Sequence, residues 1–183
     1  MRPLLRRVVV RARGFSGGPS AEAIAAIQSN FKANPSAART TFSASSELTK
    51  GLICRGQMRS FELTADEPEA FGGENTAPNP LEILLFSLGN CQEITAKAFA
   101  NAMGIPLTKV SVELTGHVDL RGFFAVDSSV RPGFSKIEGS FVVESPADLE
   151  TIKKLKEVTD QHCPVKDALQ GVDIEVTLQH VQK

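Results

Sequence analysis

The sequence contains no tryptophan and no tyrosine, and only three of its 183 residues are cysteine. Trp and Tyr are common anchors of large recognition surfaces, so their absence argues against such a surface. Three cysteines are too few for a disulfide scaffold in a chain of this length. Their number instead favours a reducing compartment in which thiols stay reactive.

Strong net charge and long apolar runs are also missing. The formal net charge is -1, which gives no electrostatic basis for binding nucleic acid. No apolar run reaches the roughly 18 residues of a membrane-spanning helix. Because 42% of the residues are hydrophobic, the chain can still build a soluble core. We therefore expect neither nucleic acid nor a membrane as a partner.

The amino-terminal segment is basic and has no acidic residue before Glu22. An Arg-rich, acid-poor start is typical of a mitochondrial transit peptide. Arg13-Gly14-Phe15-Ser16 is similar to a matrix-protease cleavage site, with the cut after Phe15. We expect residues 1–20 to be such a peptide and the protein to lie in the mitochondrial matrix. A disordered basic tail on a cytoplasmic protein is the alternative.

The rest of the chain predicts a short lead-in at 21–38 and one domain at 39–183. Ile24, Ile27 and Phe31 follow helical spacing, and Asn34-Pro35 ends that helix. Extended segments follow at 39–46, 51–55 and 58–64. The hairpin turn between the last two is predicted at Cys54-Arg55-Gly56-Gln57.

An apolar helical region follows the Pro- and Gly-rich loop at 66–79. Asn79 and Pro80 are suited to be its cap and first residue. Gly89-Asn90 then interrupts the pattern, and Glu93 completes a capping box that would restart a helix at Cys91. The alternative is one continuous buried helix.

Strands are predicted again after this region, at 109–115, 117–120 and 134–144. An amphipathic helix at 146–160 follows, with Cys163 directly after it, and the last strand is predicted at 172–178. Strands, helices, strands, helix and strand in this order indicate an α+β fold.

Cys91 and Cys163 are the candidate reactive residues. A thiolate is the nucleophile, and the N-terminus of a helix would favour the anion at Cys91. Oxidation there would give a sulfenic acid, which a second thiol converts to a disulfide if the two Cα atoms come within about 7 Å. Cys54 lies on a predicted strand and is interpreted as a small buried hydrophobe.

Two rival chemistries are disfavoured by spacing. A metal site built from Cys91, Cys163 and His162 lacks the close paired ligands of zinc motifs. Ser87, His117 and Asp119 could serve a hydrolase, but the sequence has no nucleophile-elbow motif. We therefore expect no metal and no other cofactor.

Five short stretches follow one another in a defined order: Asp66-Glu67-Pro68 to Gly72-Gly73, Asn79-Pro80, 82–91, Gly133-Phe134 with Ile137, and Cys163-Pro164-Val165. Taken together, these stretches resemble the OsmC-type family, the osmotically inducible protein C and organic hydroperoxide resistance proteins. The resemblance implies curved antiparallel sheets wrapped around a central apolar helix, in an intertwined homodimer. It also implies thiol-dependent reduction of organic hydroperoxides.

The resemblance also implies roles for individual residues. Cys91 would attack the peroxide and Cys163 would resolve the sulfenic acid, while Glu82 would hold Arg59 over the thiolate. Arg55 and Lys50 compete with Arg59 for that place. An external dithiol, such as a lipoylated protein, would restore both thiols.

Two departures leave alternatives open. The hydroperoxide branch has its glutamate one position earlier, where this chain has Leu81, and on a straight helix Glu82 would lie about 13.5 Å from Cys91. Glu82 could therefore simply be a first-turn acid that the helix N-terminus stabilises. The alternative function is a non-catalytic thiol-based binding or redox-sensing protein.

Overall fold

The computed structural model describes residues 17–182. Residues 1–16, which hold most of the predicted transit peptide, lie outside the described residues, so that prediction stays a prediction. Within 17–182, no helix has both the length and the hydropathy needed to cross a membrane.

The first part of the described chain forms a helix and a three-stranded meander. Helix α1 (Ala21–Ala33) confirms the predicted lead-in helix, and Ser20 caps it by accepting a hydrogen bond from the N–H of Ala23. The strands β1 (Ser45–Lys50), β2 (Ile53–Met58) and β3 (Phe61–Ala65) pair antiparallel in that order, and we call them the first sheet.

The hairpin turn predicted at 54–57 is wrong, because these residues lie inside β2. The chain turns instead at Gly51 and at Arg59, whose φ angles are 55° and 58°. Gly56, which the prediction used as a turn residue, sits where a Cβ atom would lie 3.4 Å from the carbonyl oxygen of Ser45. A glycine inside a strand often marks such a close approach of a neighbouring backbone.

The second part of the chain forms a long helix and a mixed sheet. The strands of this second sheet lie in the order β4-β5-β6, with β4 antiparallel and β6 parallel to β5. The predicted strand at 117–120 is wrong, because Asp119 caps a short helix there. The elements are α2 (Pro80–Met103), β4 (Lys109–His117), α3 (Leu120–Phe123), β5 (Lys136–Glu144), α4 (Leu149–His162), α5 (Pro164–Ala168) and β6 (Asp173–Val181).

The core consists of two buried apolar clusters that follow one another along α2. The first, which we call the α4 cluster, includes Ala96 and Ala100 of α2, Phe141 of β5 and Leu155 of α4. The second, which we call the thiol cluster, consists of Leu88, Phe134, Ile137 and Cys163. Helices and strands thus share one core, and the predicted α+β class is confirmed.

The loop that leads to α2 is organised by one buried carboxylate. Asp66 is only 1% exposed and accepts hydrogen bonds from the backbone N–H groups of Glu67, Glu74 and Thr76 and from the Thr76 hydroxyl. The bond from the Thr76 N–H is the largest cause that lowers the pKa of Asp66. The loop therefore has a defined conformation up to Asn79, where α2 begins.

Candidate active site

Cys91 lies near the middle of α2, not at a helix N-terminus. Helix α2 runs without a break for 24 residues, so the predicted break at Gly89-Asn90 and restart at Cys91 are wrong. The capping box is at the true start instead, where Asn79 accepts from the N–H of Glu82 and Glu82 accepts from the N–H of Asn79, both at 2.8 Å. Because the field of a helix end fades within one turn, it does not act on Cys91.

The two residues behind the wrong prediction have other partners. Gly89 is buried against β4, where an added Cβ atom would lie 3.8 Å from Val112. Glu93 accepts a hydrogen bond of 3.0 Å from the N–H of Val112 rather than capping a helix. Desolvation of this half-buried carboxyl raises the pKa of Glu93. Packing of α2 against β4 thus overrides a local stop signal worth about 1 kcal/mol.

Cys163 lies at the junction of α4 and α5. It ends the amphipathic helix α4, as the sequence predicts, and Pro164 then begins α5. The side chain is only 1% exposed and belongs to the thiol cluster. Cys91 is partly exposed and packs against the same cluster.

The fold brings these two distant cysteines together. Both are free thiols, and the side chain of Cys163 is within hydrogen-bonding reach of Cys91. Burial raises the pKa of Cys163 to about 11, and the neighbouring Cys91 contributes in the same direction. The backbone N–H groups of Lys166 and Val165 act in the opposite direction but are outweighed. The pair therefore has an accessible member and a buried, protonated one.

Glu82 is not brought to the thiols within one chain. Its side chain is committed to the capping box at the first turn of α2. Because the helix is continuous, the nine residues to Cys91 correspond to about 13.5 Å. In this chain Glu82 is thus the first-turn acid that the sequence left open as an alternative.

The candidate cations belong to the first sheet or its edges. Arg59 occupies the turn between β2 and β3, and its guanidinium lies 5.0 Å from the centre of the Phe61 ring. Lys50 pairs with Glu74 at 2.7 Å, which raises the pKa of Lys50. Arg55 lies within β2. Within one chain, all three cations thus belong to the first sheet or its turns, whereas the two thiols lie on helix α2 and at the junction of α4 and α5, and α2 packs against the second sheet.

Two further residues that the sequence analysis considered, His162 and Cys54, have packing or strand-pairing contacts of their own. His162 stacks on Phe99 with ring centres 5.0 Å apart. Cys54 lies in β2, opposite Leu48 and Ala65. Between residues 17 and 182, no group of three or more His, Cys, Asp and Glu side chains is arranged to hold a metal ion.

The sequence reasoning missed Gln92, which follows Cys91 directly. Its side chain is fully buried, and neither amide atom has a hydrogen-bond partner among the described residues. A buried unpaired amide costs free energy, so it calls for an explanation. One signal was available: Leu88, Gln92 and Ala96 recur at helical spacing, and only the middle residue of this stripe is polar.

Comparisons with known proteins agree with the resemblance. The family model for OsmC-like protein matches residues 73–177. A protein of Mycoplasma genitalium named hydroperoxide reductase is 29% identical over 130 residues, which cover 66% of this chain and 84% of that protein.

Solved structures support the same fold. The OsmC-like protein of Mycoplasma pneumoniae has a TM-score of 0.69 at 23% identity, covering 78% of this chain and 98% of that one. An organic hydroperoxide resistance protein of Legionella pneumophila has a TM-score of 0.59 at 20% identity, with the same shares covered.

Proposed function

Because the chain belongs to the OsmC-like protein family, we propose that it is a thiol-dependent peroxidase that reduces organic hydroperoxides. The observation that carries this proposal is the pair formed by Cys91 and Cys163, which are distant in sequence and within hydrogen-bonding reach in the fold. The name of the Mycoplasma genitalium relative supports it.

The proposed reaction has three steps. The Cys91 thiolate attacks one oxygen of the hydroperoxide, the O–O bond breaks, and the alcohol leaves while a sulfenic acid forms. The sulfur of Cys163 then attacks the sulfur of Cys91, and water leaves as the disulfide forms. An external dithiol supplies two electrons and restores both thiols.

The different exposure of the two thiols supports this division of roles. The peroxide must reach the attacking sulfur, and Cys91 is the partly exposed member of the pair. The resolving sulfur needs only to reach Cys91, and Cys163 is buried beside it. Apolar side chains of α2 that pack on the same cluster, such as Leu84, would suit the hydrocarbon part of an organic hydroperoxide.

We further propose that the protein acts as a homodimer. All residues of β1 are exposed, and α2 presents Phe86 and Ile94, which are 71% and 70% exposed. A groove of about 340 Å³ lies beside Phe86 between α2 and β4. A second copy that covers these apolar surfaces could also bring Arg59 and Glu82 of one chain to the thiols of the other.

The reductant and the location are proposed together. Lipoylated proteins provide a dithiol on one flexible arm and are present in the mitochondrial matrix, to which the basic amino-terminal segment points. We therefore propose a dihydrolipoyl group as the electron donor.

Steady-state turnover with tert-butyl hydroperoxide and a dihydrolipoyl donor tests the function. We expect many turnovers per site, loss of activity in Cys91→Ser, and trapping of a Cys91 sulfenic acid in Cys163→Ser. Consumption of at most one peroxide per site would instead support a thiol-based binding or sensing protein.

A further inference from the structure

Gln92, whose side-chain amide is buried, directly follows Cys91 on α2. On a helix, residues at i, i+3 and i+4 are neighbours, so Cys91 and Gln92 both lie next to Leu88 on one side of α2. Cys163 packs in one cluster with Leu88 and is within hydrogen-bonding reach of Cys91. The sulfur of Cys163 therefore lies over the part of α2 that also carries Gln92.

On each of three elements, a polar or small residue separates a member of the thiol cluster from a member of the α4 cluster. Along α2, Gln92 separates Leu88 of the thiol cluster from Ala96 of the α4 cluster. Along β5, Gly139 lies between Ile137 of the thiol cluster and Phe141 of the α4 cluster.

Helix α4 repeats this arrangement. Thr159 lies one turn after Leu155 of the α4 cluster and one turn before Cys163 of the thiol cluster. Its hydroxyl is already satisfied, because it donates to the carbonyl of Leu155 at 2.7 Å. Within residues 17–182, the amide of Gln92 is a buried donor at this level that has no partner.

We propose that the Gln92 side-chain amide donates a hydrogen bond to the Cys163 sulfur when that sulfur carries negative charge during disulfide exchange. The inference deepens the proposed peroxidase function and rests on the Cys91–Cys163 disulfide. In this scheme Gln92 contacts the sulfur of Cys163, which is a reacting atom of disulfide exchange, and does not contact the peroxide.

The chemistry requires such a donor. In reduction, a thiolate of the external dithiol attacks the sulfur of Cys91, the S–S bond breaks, and its electron pair leaves on Cys163. The anion forms in a site that is 1% exposed, where an unpaired charge is costly. A neutral amide can donate to this anion without itself taking up or losing a proton.

Gln92→Met provides the test, because the substitution keeps the length and apolar body of the side chain but removes the donor. The disulfide is formed with diamide in wild type and variant, and its reduction by excess dithiothreitol is followed by quenching and mass analysis. This assay measures loss of the bond without requiring peroxide activity. We expect reduction of the variant to be at least about tenfold slower, as for a lost hydrogen bond to a charged group.

A second readout separates this role from a structural one. Removing a buried unpaired amide should leave the stability of the dithiol form unchanged or raise it, as measured by urea unfolding. The rate at which peroxide oxidises Cys91 should also be unchanged. Thr159→Val is the matched control, since it removes a buried hydroxyl one turn from Cys163 and should leave the reduction rate near that of wild type.

Three results would overturn the inference. These are equal reduction rates in wild type and Gln92→Met, an equal slowing in Thr159→Val, and absence of any Cys91–Cys163 disulfide after diamide. If Gln92→Met does not fold, Gln92→Leu is measured by the same criteria. The proposed function fails separately, if diamide forms the disulfide but hydroperoxide is not turned over.

Discussion

At the scale of single residues, burial distinguishes the two thiols. Cys163 is enclosed in an apolar cluster, and burial raises its pKa to about 11. A free cysteine in an unfolded chain has a pKa of about 8.5. Between these two pKa values, the folded chain keeps the Cys163 proton that the unfolded chain has lost. The contribution of Cys163 to the free energy of unfolding therefore falls as the pH rises from about 8.5 to about 11.

This difference predicts the alkylation behaviour of the reduced protein. We expect the iodoacetamide reaction at Cys163 to be slow near neutral pH and to rise only toward pH 11, because the reactive species is the thiolate. Peptide mass mapping across pH provides the measurement. In urea, the pH midpoint of the iodoacetamide reaction at Cys163 should return to about 8.5. A midpoint that low in the folded protein would contradict the effect of burial on the pKa of Cys163.

At Arg59, a single substitution can remove the charge of the side chain and keep the backbone conformation of the turn. Its φ of 58° is in the left-handed region, which glycine adopts without strain. We expect Arg59→Gly to fold with unchanged stability but to lose roughly tenfold to a hundredfold in peroxidase turnover, because the proposed cation beside the partner's thiolate is removed.

The matched variant is Arg55→Gln, on the adjacent strand, with turnover and urea unfolding measured for both. Full activity in Arg59→Gly would exclude Arg59 from the site and make Arg55 or Lys50 the candidate.

At the scale of secondary structure, α2 is held by its cap and by its contact with the second sheet. The Asn79 capping box satisfies the first turn, and Gly89 and Glu93 both face β4. Asn90 lies in the interior of the helix, where it has no capping role. It is one of the residues that line the groove beside β4.

Two alanine substitutions should therefore differ in their effect on stability. Asn79→Ala should lower the free energy of unfolding by about 1 kcal/mol, because a cap is lost. Asn90→Ala should leave it unchanged or raise it by a few tenths of a kcal/mol, because alanine has the higher helix propensity. Urea unfolding of the reduced protein measures both, and an equal loss at the two positions would mean that the helix restarts at Asn90.

At the scale of the whole molecule, one chain leaves much apolar surface uncovered. Phe86 and Ile94 of α2 are exposed, as are Phe61 and Leu63 of the first sheet. Phe86 and Ile94 lie about two turns apart along α2, and exposed apolar residues that lie together usually mark an interface.

A charge on this surface should therefore prevent the proposed dimer. We expect Ile94→Asp to sediment as a monomer, whereas wild type sediments as a dimer, because a carboxylate would be buried without a partner at the interface. Val126→Asp is the matched control, because Val126 is 71% exposed but lies after α3. Sedimentation of wild type as a monomer at micromolar concentration would refute the dimer.

The basic amino-terminal segment makes a prediction of its own. Residues 1–30 fused to a fluorescent protein should be imported into mitochondria, and replacing Arg2, Arg6 and Arg7 by Glu should abolish import. Fluorescence that stays diffuse in the cytosol with the wild-type segment would exclude the transit peptide but would not bear on the enzyme.

The sequence alone predicted the elements whose signals are local. Asn79-Pro80 marked the start of α2, the spacing of Ile24, Ile27 and Phe31 marked α1, and amphipathic periodicity marked α4. The order of short motifs was sufficient to identify the family. Such features depend on residues a few positions apart, where backbone preference and side-chain spacing act directly.

Tertiary packing decided what these local signals could not. The stop at Gly89-Asn90 is worth about 1 kcal/mol, and burial of α2 against β4 outweighs it. The proximity of Cys91 to Cys163 depends on how α2, α4 and α5 pack against one another. Local sequence patterns do not determine such packing between residues that are far apart along the chain. The burial of Gln92 without a partner also arises only where two apolar clusters meet, because a side chain's environment is set by the elements packed around it.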